Sequence, residues 1–549
     1  MTDSKLIKIY DTTLRDGTQG EGISFSSSDK ILIAHLMDDF GIDYIEGGWP
    51  GSNPRDMEFF DLVKKEIFHH AKIVAFGSTR RANIPVSEDV QIAKLLEAET
   101  PVITIFGKTW LLHVTEVLKT TAQENLDMIF DSIKHLKDAG KEVIYDAEHF
   151  FDGYKDHPTY ALSTLEAALR GGADYITLCD TNGGTQVTEV QEIVKSVKNS
   201  FPDAIVGMHC HNDCDLGVAV SLYGIEAGAT MVQGVMNGYG ERVGNANLTS
   251  IIANLGLKLG YDLNCKKHIK ELRQFSLEVD RIAGKKPYRQ APFVGRSAFA
   301  HKGGVHANAA MKVARSYEHI QPELVGNSQR ILLSDMSGST SVAMKAAEYG
   351  LQLDPKSPEM KSFLNLIKQK ENRGYAYENA DASFIVLLFQ HFKNLKDDYK
   401  LVSYRIITEV IRDTIGMNLS EAVIKLQMLG EDHEVELSVA ESSGPVGALD
   451  HAARIAFGKY YPELETVELI DYKVRILQTG AGADSTTQVL MKSGDVTHTW
   501  WTCGASENII DASWQALSDA YRYKLLLRNQ VDNLADAFNE TLTQSKNNG

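Results

Sequence analysis

The sequence predicts an α/β protein built on an N-terminal TIM (β/α)8 barrel. Two features of the first 260 or so residues carry that expectation. Short β-branched runs alternate with longer amphipathic stretches, and eight such runs can be counted. Eight strands alternating with helices over roughly 250 residues is the arithmetic of a closed parallel barrel. Polar residues able to do chemistry (Asp16, Glu46, Glu148, Thr181, His211 and Asn237) fall at or just after the C-terminal ends of different runs. In a barrel those ends share one rim. A doubly wound open sheet produces the same alternation, so the placement of these residues favours the barrel more than the periodicity does.

The predicted strands are Leu6–Tyr10, Tyr44–Gly47, Ile73–Gly77, Val102–Phe106, Val143–Ala147, Tyr175–Cys179, Ile205–His209 and Thr230–Val235. They are rich in branched side chains, which pack well on a pleated surface. Apolar residues at helical spacing predict helices such as Lys30–Phe40, Glu116–Ala139, Thr159–Gly171 and Val187–Asn199. The expected barrel domain is 1–265. After Leu259 the texture changes, and 266–400 reads as mostly helical linker subdomains with basic patches and a Gly/His-rich stretch, Ala298–Lys312. From 401 to 530 the chain returns to strands with two clear helices. Each helix follows a Gly-containing turn, Gly444-Pro-Val-Gly-Ala-Leu-Asp450 and Gly504-Ala-Ser-Glu-Asn-Ile-Ile-Asp511. That is a weak internal repeat in a separate α+β module. The tail 531–549, ending in Gln-Ser-Lys-Asn-Asn-Gly, is expected to be flexible.

A chain of 549 residues exceeds what one core serves, so several domains are required. Its formal charge of −17 argues against a general nucleic-acid binder, which needs a basic footprint. Anionic substrates stay open, because one Arg or a metal ion overrides the global field locally. No apolar run approaches the roughly 18 residues of a membrane span. The start lacks a signal-peptide core, and the five cysteines form no CxxC pair. A reduced, cytoplasmic compartment is the expectation.

His209-Cys210-His211 ends the seventh predicted strand. Alternation along a strand puts both imidazoles on one face and Cys210 on the other. That is half a metal site, or two histidines packed or solvated in a loop; the motif alone leaves both open. Asp11-Thr-Thr-Leu-Arg-Asp-Gly-Thr-Gln19 follows the first strand and sets the carboxylate of Asp16 beside the guanidinium of Arg15. Taken alone it reads as a surface ion pair in a glycine turn. Gly240-Glu-Arg-Val-Gly-Asn245 and Thr479-Gly-Ala-Gly-Ala-Asp484 lack the Lys-Ser/Thr of a P-loop and the GxGxxG spacing, which argues against nucleotide binding.

Together, Arg15-Asp16, His209-x-His211 and Gly240–Asn245 resemble the DRE-TIM metallolyases. That family includes 2-isopropylmalate, homocitrate and citramalate synthases, with hydroxymethylglutaryl-CoA lyase and carboxyltransferase domains. Stretches 298–312 and 401–530 resemble the linker and regulatory domain of the isopropylmalate synthase branch, which lyases and carboxyltransferases lack. Ile45-Glu-Gly-Gly-Trp-Pro-Gly-Ser-Asn-Pro54 and Phe106-Gly-Lys-Thr-Trp-Leu-Leu-His113 are similar to the citramalate-forming version of that branch. The resemblance implies an acyltransferase that condenses acetyl-CoA with pyruvate and releases CoA. Its same-class alternative is condensation with 2-oxoisovalerate, and its different-class alternative a non-catalytic amino-acid sensor.

By the same resemblance, Asp16, His209, His211 and Asn245 hold a divalent metal (Mn²⁺, Mg²⁺ or Zn²⁺). Arg15 meets the developing alkoxide, Arg15 and Glu46 bind substrate, and Thr181 binds the substrate carboxylate or serves only as a helix cap. Glu148 from the fifth strand and His306 from the linker lie near the reacting carbon, with Tyr317 assisting and His301 structural. Which of Glu148 and His306 is the base stays open. Lys108 and His113 either contact substrate or brace their loop. A linker histidine serving the partner's site implies a homodimer, and the regulatory domain implies feedback by isoleucine.

Overall fold

The structure is a computed structural model that describes residues 6–301, 316–331, 338–393, 398–410, 418–429, 434–477, 485–496 and 498–527. Eight parallel strands close into a barrel: β1 Lys8–Asp11, β2 Tyr44–Gly48, β3 Lys72–Ser78, β4 Val102–Lys108, β5 Glu142–Glu148, β6 Tyr175–Asp180, β7 Val206–Cys210 and β8 Met231–Gly234. The ring is sealed by β1 against β8, with Lys8 opposite Met231 and Asp11 opposite Gly234. The open-sheet alternative is thereby excluded. Every predicted strand is present, shifted at its ends by up to two residues.

Alternation sorts each strand into two faces. Tyr10, Tyr44, Val74, Val102, Ile144 and Met231 form one buried cluster inside the barrel. Their neighbours Ile9, Ile45, Ile73, Ile103, Val143 and Val232 pack outward against the helices. The helices start where side chains can satisfy their first N–H groups. In α1, Ser27–Phe40, Ser26 and Asp29 form a capping box. In α2, Pro54–Val63, Asn53 caps a helix that opens on proline. The helix predicted over Glu116–Ala139 divides: Thr121 caps a helix at Ala122–Asp138, and His113–Val117 forms a separate π turn.

The compact unit containing the barrel runs through Phe299 and takes in Glu318–Gln329. The predicted change at 265 therefore falls inside it. The reason is packing: the helix Leu272–Ile282 lays Phe275 against Phe40 of α1, ring centroids 4.8 Å apart.

The second unit comprises 300–317 and 330 onward. Short strands β9, Ala300–His301, and β10, Arg330–Ile331, pair in parallel. Helices Ser339–Ala347, Pro358–Asn372 and Asp381–Phe392 share a core that includes Val342, Phe363 and Phe384. The predicted repeat is present twice. Antiparallel strands β11 Tyr399–Val410, β12 Asn418–Met428 and β13 Val435–Ser442 precede helix Pro445–Gly458. Strands β14 Glu468–Ile476, β15 Thr487–Gly494 and β16 Thr499–Ser506 precede a helix over 509–527. Ile424 and Leu426 of the first sheet, Val489 and Met491 of the second, and Phe457 and Tyr521 of the helices close one core. Among the described residues no helix is long and apolar enough to cross a membrane. The expected tail, 531–549, lies outside them.

Candidate active site and metal centre

The turn after β1 is folded by its own polar groups. Asp11 accepts the Thr13 N–H at 2.7 Å and its hydroxyl at 3.0 Å, while the Thr13 oxygen accepts the Met236 N–H at 2.9 Å. This brings Arg15 and Asp16 over the C-terminal mouth of the barrel. His209, on β7, faces inward, and Cys210 is buried on the opposite face, as alternation requires. Beyond the strand, 244–246 runs alongside 210–212: the Asn212 N–H donates to the Gly244 carbonyl and the Ala246 N–H to that of Cys210. A backbone bridge then places Asn245 opposite His211.

Asp16, His209 and His211 are all buried and present ligand atoms within 4.8 Å of one another. Asp16 Oδ2 lies 3.4 Å from His209 Nε2 and 4.0 Å from His211 Nε2, and the two Nε2 atoms are 3.4 Å apart. Donors bound to one ion at about 2.1 Å stand about 3.0–3.4 Å from each other, so a small contraction suffices. Two buried oxygens here, Asp16 Oδ1 and Asn245 Oδ1, have no hydrogen-bond partner. Orphaned buried acceptors beside two imidazoles suit a cation. The carboxylate, imidazole and amide donors fit the divalent metal that the sequence reading expected, without choosing among ions.

Electrostatics prepare the donors. Burial works against the Asp16 charge, but Arg15 and the two imidazoles outweigh it and hold the carboxyl far below its ordinary range. Burial lowers His209, yet the Asp16 carboxylate beside it reverses the net shift upward. His211 is pushed down to about 3 by burial and by His209, which keeps its ring neutral with a lone pair to give.

Sequence reasoning missed Gln233, on β8. Its Oε1 lies 2.8 Å from His209 Nδ1, and its Nε2 donates to Asp146 Oδ1 at 2.8 Å and Thr177 Oγ1 at 3.3 Å. All are buried inside the barrel. An amide oxygen can only accept, so Nδ1 of His209 carries a proton, and Nε2, beside Asp16, is the nitrogen that a metal would take. The available signal was a glutamine at an inward position of a strand otherwise filled by apolar residues.

A cavity of about 230 Å³ opens on this cluster. Arg15, Glu148, Thr181, Asp146 and Cys179 line it, with Trp49, Phe76 and Phe106. The Arg15 guanidinium donates through Nε to Glu46 Oε1 at 2.6 Å, comes within 3.3 Å of Asp16 and rests 3.8 Å above the Phe76 ring. Glu46 is fully buried and accepts the Tyr10 hydroxyl at 2.5 Å. Glu148 pairs with Lys108. Burial raises Asp146 to about 7. Thr181 accepts the His149 N–H at 2.9 Å, and His113 stacks on Trp110, centroids 5.3 Å apart.

Not every expected residue converges. Asn237, read as a rim residue, turns away: its amide bonds Ser276 and Asp280 and pins the helix Leu272–Ile282. Tyr317 is exposed and His301 lies in β9, both in the second unit. His306 falls outside the described residues.

Comparison with known proteins agrees with this architecture. The HMGL-like family model matches residues 6–277, the homocitrate synthase post-HMGL domain-like model 293–374, and the LeuA allosteric (dimerisation) domain 378–525. An (R)-citramalate synthase of Aquifex aeolicus is 52% identical over 95% of this chain and 98% of its own. In Sulfolobus acidocaldarius an (R)-citramalate synthase is 42% identical over 96% of this chain and 99% of its own. The 2-isopropylmalate synthase of that organism is 32% identical over 70% of this chain and 96% of its own. A shared barrel, linker and terminal module at such identity, with the Asp-His-His cluster at the barrel mouth, place the chain in the (R)-citramalate synthase family of DRE-TIM enzymes.

Proposed function

We propose that the chain condenses acetyl-CoA with pyruvate and water to (R)-citramalate and CoA, as an acyltransferase. The observation that carries this is the grouping of Asp16, His209 and His211 with Arg15 on one cavity. Asp16, His209, His211 and Asn245 would hold a divalent cation, which when bound would supply Lewis-acid polarisation of the 2-oxo acid carbonyl. The chain's own groups do the rest. The thioester methyl gives up a proton, its carbon bonds to C2 of pyruvate, and the carbonyl oxygen becomes an alkoxide that takes up a proton. Arg15, fixed by Glu46, faces that oxygen as a preorganised cation. Thr181 hydrogen-bonds the substrate carboxylate. Glu148 lines the cavity and is paired with Lys108; its duty is either to take the methyl proton or to orient His306, with Tyr317 assisting. Water then cleaves the C–S bond, leaving a carboxylate and the CoA thiol.

The C-terminal module serves as a dimerisation and feedback unit, with isoleucine as the expected inhibitor of a cytoplasmic homodimer. Its match to the LeuA allosteric (dimerisation) model and its solvent-facing apolar strand residues, including Leu437 and Val439, support that role. CoA-thiol release measured with pyruvate and with 2-oxoisovalerate tests the reading. Faster turnover of pyruvate is expected, dependent on added metal after chelation; faster turnover of 2-oxoisovalerate would assign the chain to the isopropylmalate reaction.

A further inference from the structure

The cavity is lined by three aromatic side chains as well as by charged groups. Trp49, in the loop after β2, sets its indole edge-on to two rings, Phe76 at 5.9 Å and 88° and Phe106 at 5.6 Å and 84°. Those two phenyls stack 5.5 Å apart at 21°. All three line the same space as Asp16, His209 and His211. A 2-oxo acid has one polar end, its carbonyl and carboxylate, which the charged groups claim. Its alkyl group is left with the aromatic wall.

The wall is also rigid. The Trp49 N–H donates to Asp56 Oδ2 at 2.8 Å, and the other oxygen of that carboxylate takes Lys30 Nζ at 2.7 Å. Lys30 is buried and reaches on to the Gly47 carbonyl at 2.8 Å. The Phe59 ring sits so close beneath Gly47 that a Cβ there would come within 2.1 Å of it. At the far end the indole Nε1 donates to Gln91 Oε1 at 2.9 Å, and a Cβ on Gly51 would meet that oxygen at 2.0 Å. Backbone and ring are anchored separately, so turning the indole aside for a larger substrate would break its bond to Gln91.

We propose that Trp49, held by Gln91 and the Lys30–Asp56 pair, is the specificity-determining residue that admits the methyl group of pyruvate and rejects branched 2-oxo acids. The proposal rests on the reading of this cavity as the 2-oxo acid site. A mobile wall discriminates poorly between alkyl groups, because it yields to the larger one; a wall fixed by hydrogen bonds leaves the extra methyls nowhere to go.

The test uses the full chain with pyruvate, 2-oxobutanoate and 2-oxoisovalerate. In Trp49→Leu the ratio of kcat/KM for 2-oxoisovalerate to that for pyruvate should rise at least about 10-fold, with 2-oxobutanoate between them. Gln91→Leu changes no atom of the wall but frees the indole, and should raise the ratio by a smaller factor. An unchanged ratio in Trp49→Leu overturns the proposal. Should Trp49→Leu be inactive with all three acids, Gln91→Leu decides: a raised ratio supports the proposal and an unchanged one overturns it. A wild-type chain that prefers 2-oxoisovalerate refutes the substrate reading itself, a result distinct from either.

Discussion

Gln233 illustrates how much a single buried amide decides. Metal-bound imidazoles depend on the partner of their other nitrogen for tautomer and orientation. Gln233→Leu keeps the volume and removes that partner, so metal affinity should fall about 10–100-fold. The melting temperature should also drop, because Asp146 and His209 lose a buried hydrogen-bond partner. Titration of metal-stripped protein measures it, and Gln233→Glu, which keeps an acceptor for Nδ1–H, should recover much of the loss. Unchanged affinity in the leucine variant would leave Gln233 a packing residue. Arg15 is a second case. Its Nε is spent on Glu46 and its face on Phe76, which leaves the outer edge of the fork toward the cavity. Arg15→Lys retains the charge without the planar fork, and should cost on the order of 2–4 kcal/mol of transition-state stabilisation. The loss should fall on kcat more than on KM for pyruvate; equal kcat would make Arg15 a structural ion pair.

At the scale of the element, the loop from β2 to α2 is held by a lysine that stays buried. Burial lowers the Lys30 ammonium and the Asp56 carboxylate opposes that shift; the pair straps α1 to the first turn of α2. Lys30→Met removes one partner and leaves Asp56 buried without its cation. A destabilisation of about 3 kcal/mol is expected, seen in denaturant melts and as a shifted emission of Trp49. A variant as stable as wild type would show that the Trp49 N–H alone satisfies Asp56. The helix Leu272–Ile282 is tied down in a similar manner, through Asn237. That residue lies at the end of a barrel strand, and its chemistry is consumed in holding one element against another.

For the molecule as a whole, the C-terminal unit has a side that its own core does not cover. On the edge strand β13, Val435, Leu437 and Val439 are 56%, 58% and 49% exposed, with Ser438 buried between them. A stripe of exposed aliphatic residues on an edge strand calls for a cover, and a second copy is the expected one. Leu437→Asp should convert a dimer to a monomer in sedimentation velocity and weaken isoleucine inhibition, while the isolated barrel cavity keeps its metal. A variant that stays dimeric would move the interface elsewhere. If isoleucine lowers acetyl-CoA affinity, acetyl-CoA must lower isoleucine affinity by the same factor.

Much of this was legible in the chain itself. The strand–helix alternation, the repeat in the terminal module and the pairing of His209 with His211 on one face follow from local periodicity, which depends only on near neighbours. The position of Asp16 beside them depends on barrel closure; the count of eight strands put them on one rim, and the family resemblance grouped them. Other features have no local signature. Gln233 reads as one polar residue among apolar ones until β8 lies beside β7 and delivers it to His209. Trp49 becomes a wall only when β3 and β4 bring Phe76 and Phe106 against it and Gln91 reaches its indole from the following helix. Asn237 looked catalytic by its place at a strand end, and the approach of a helix some forty residues later gave it a structural task. Short-range patterning determines which face a side chain takes. Which partner it meets there is decided by contacts distant in sequence, and those form only in the folded chain.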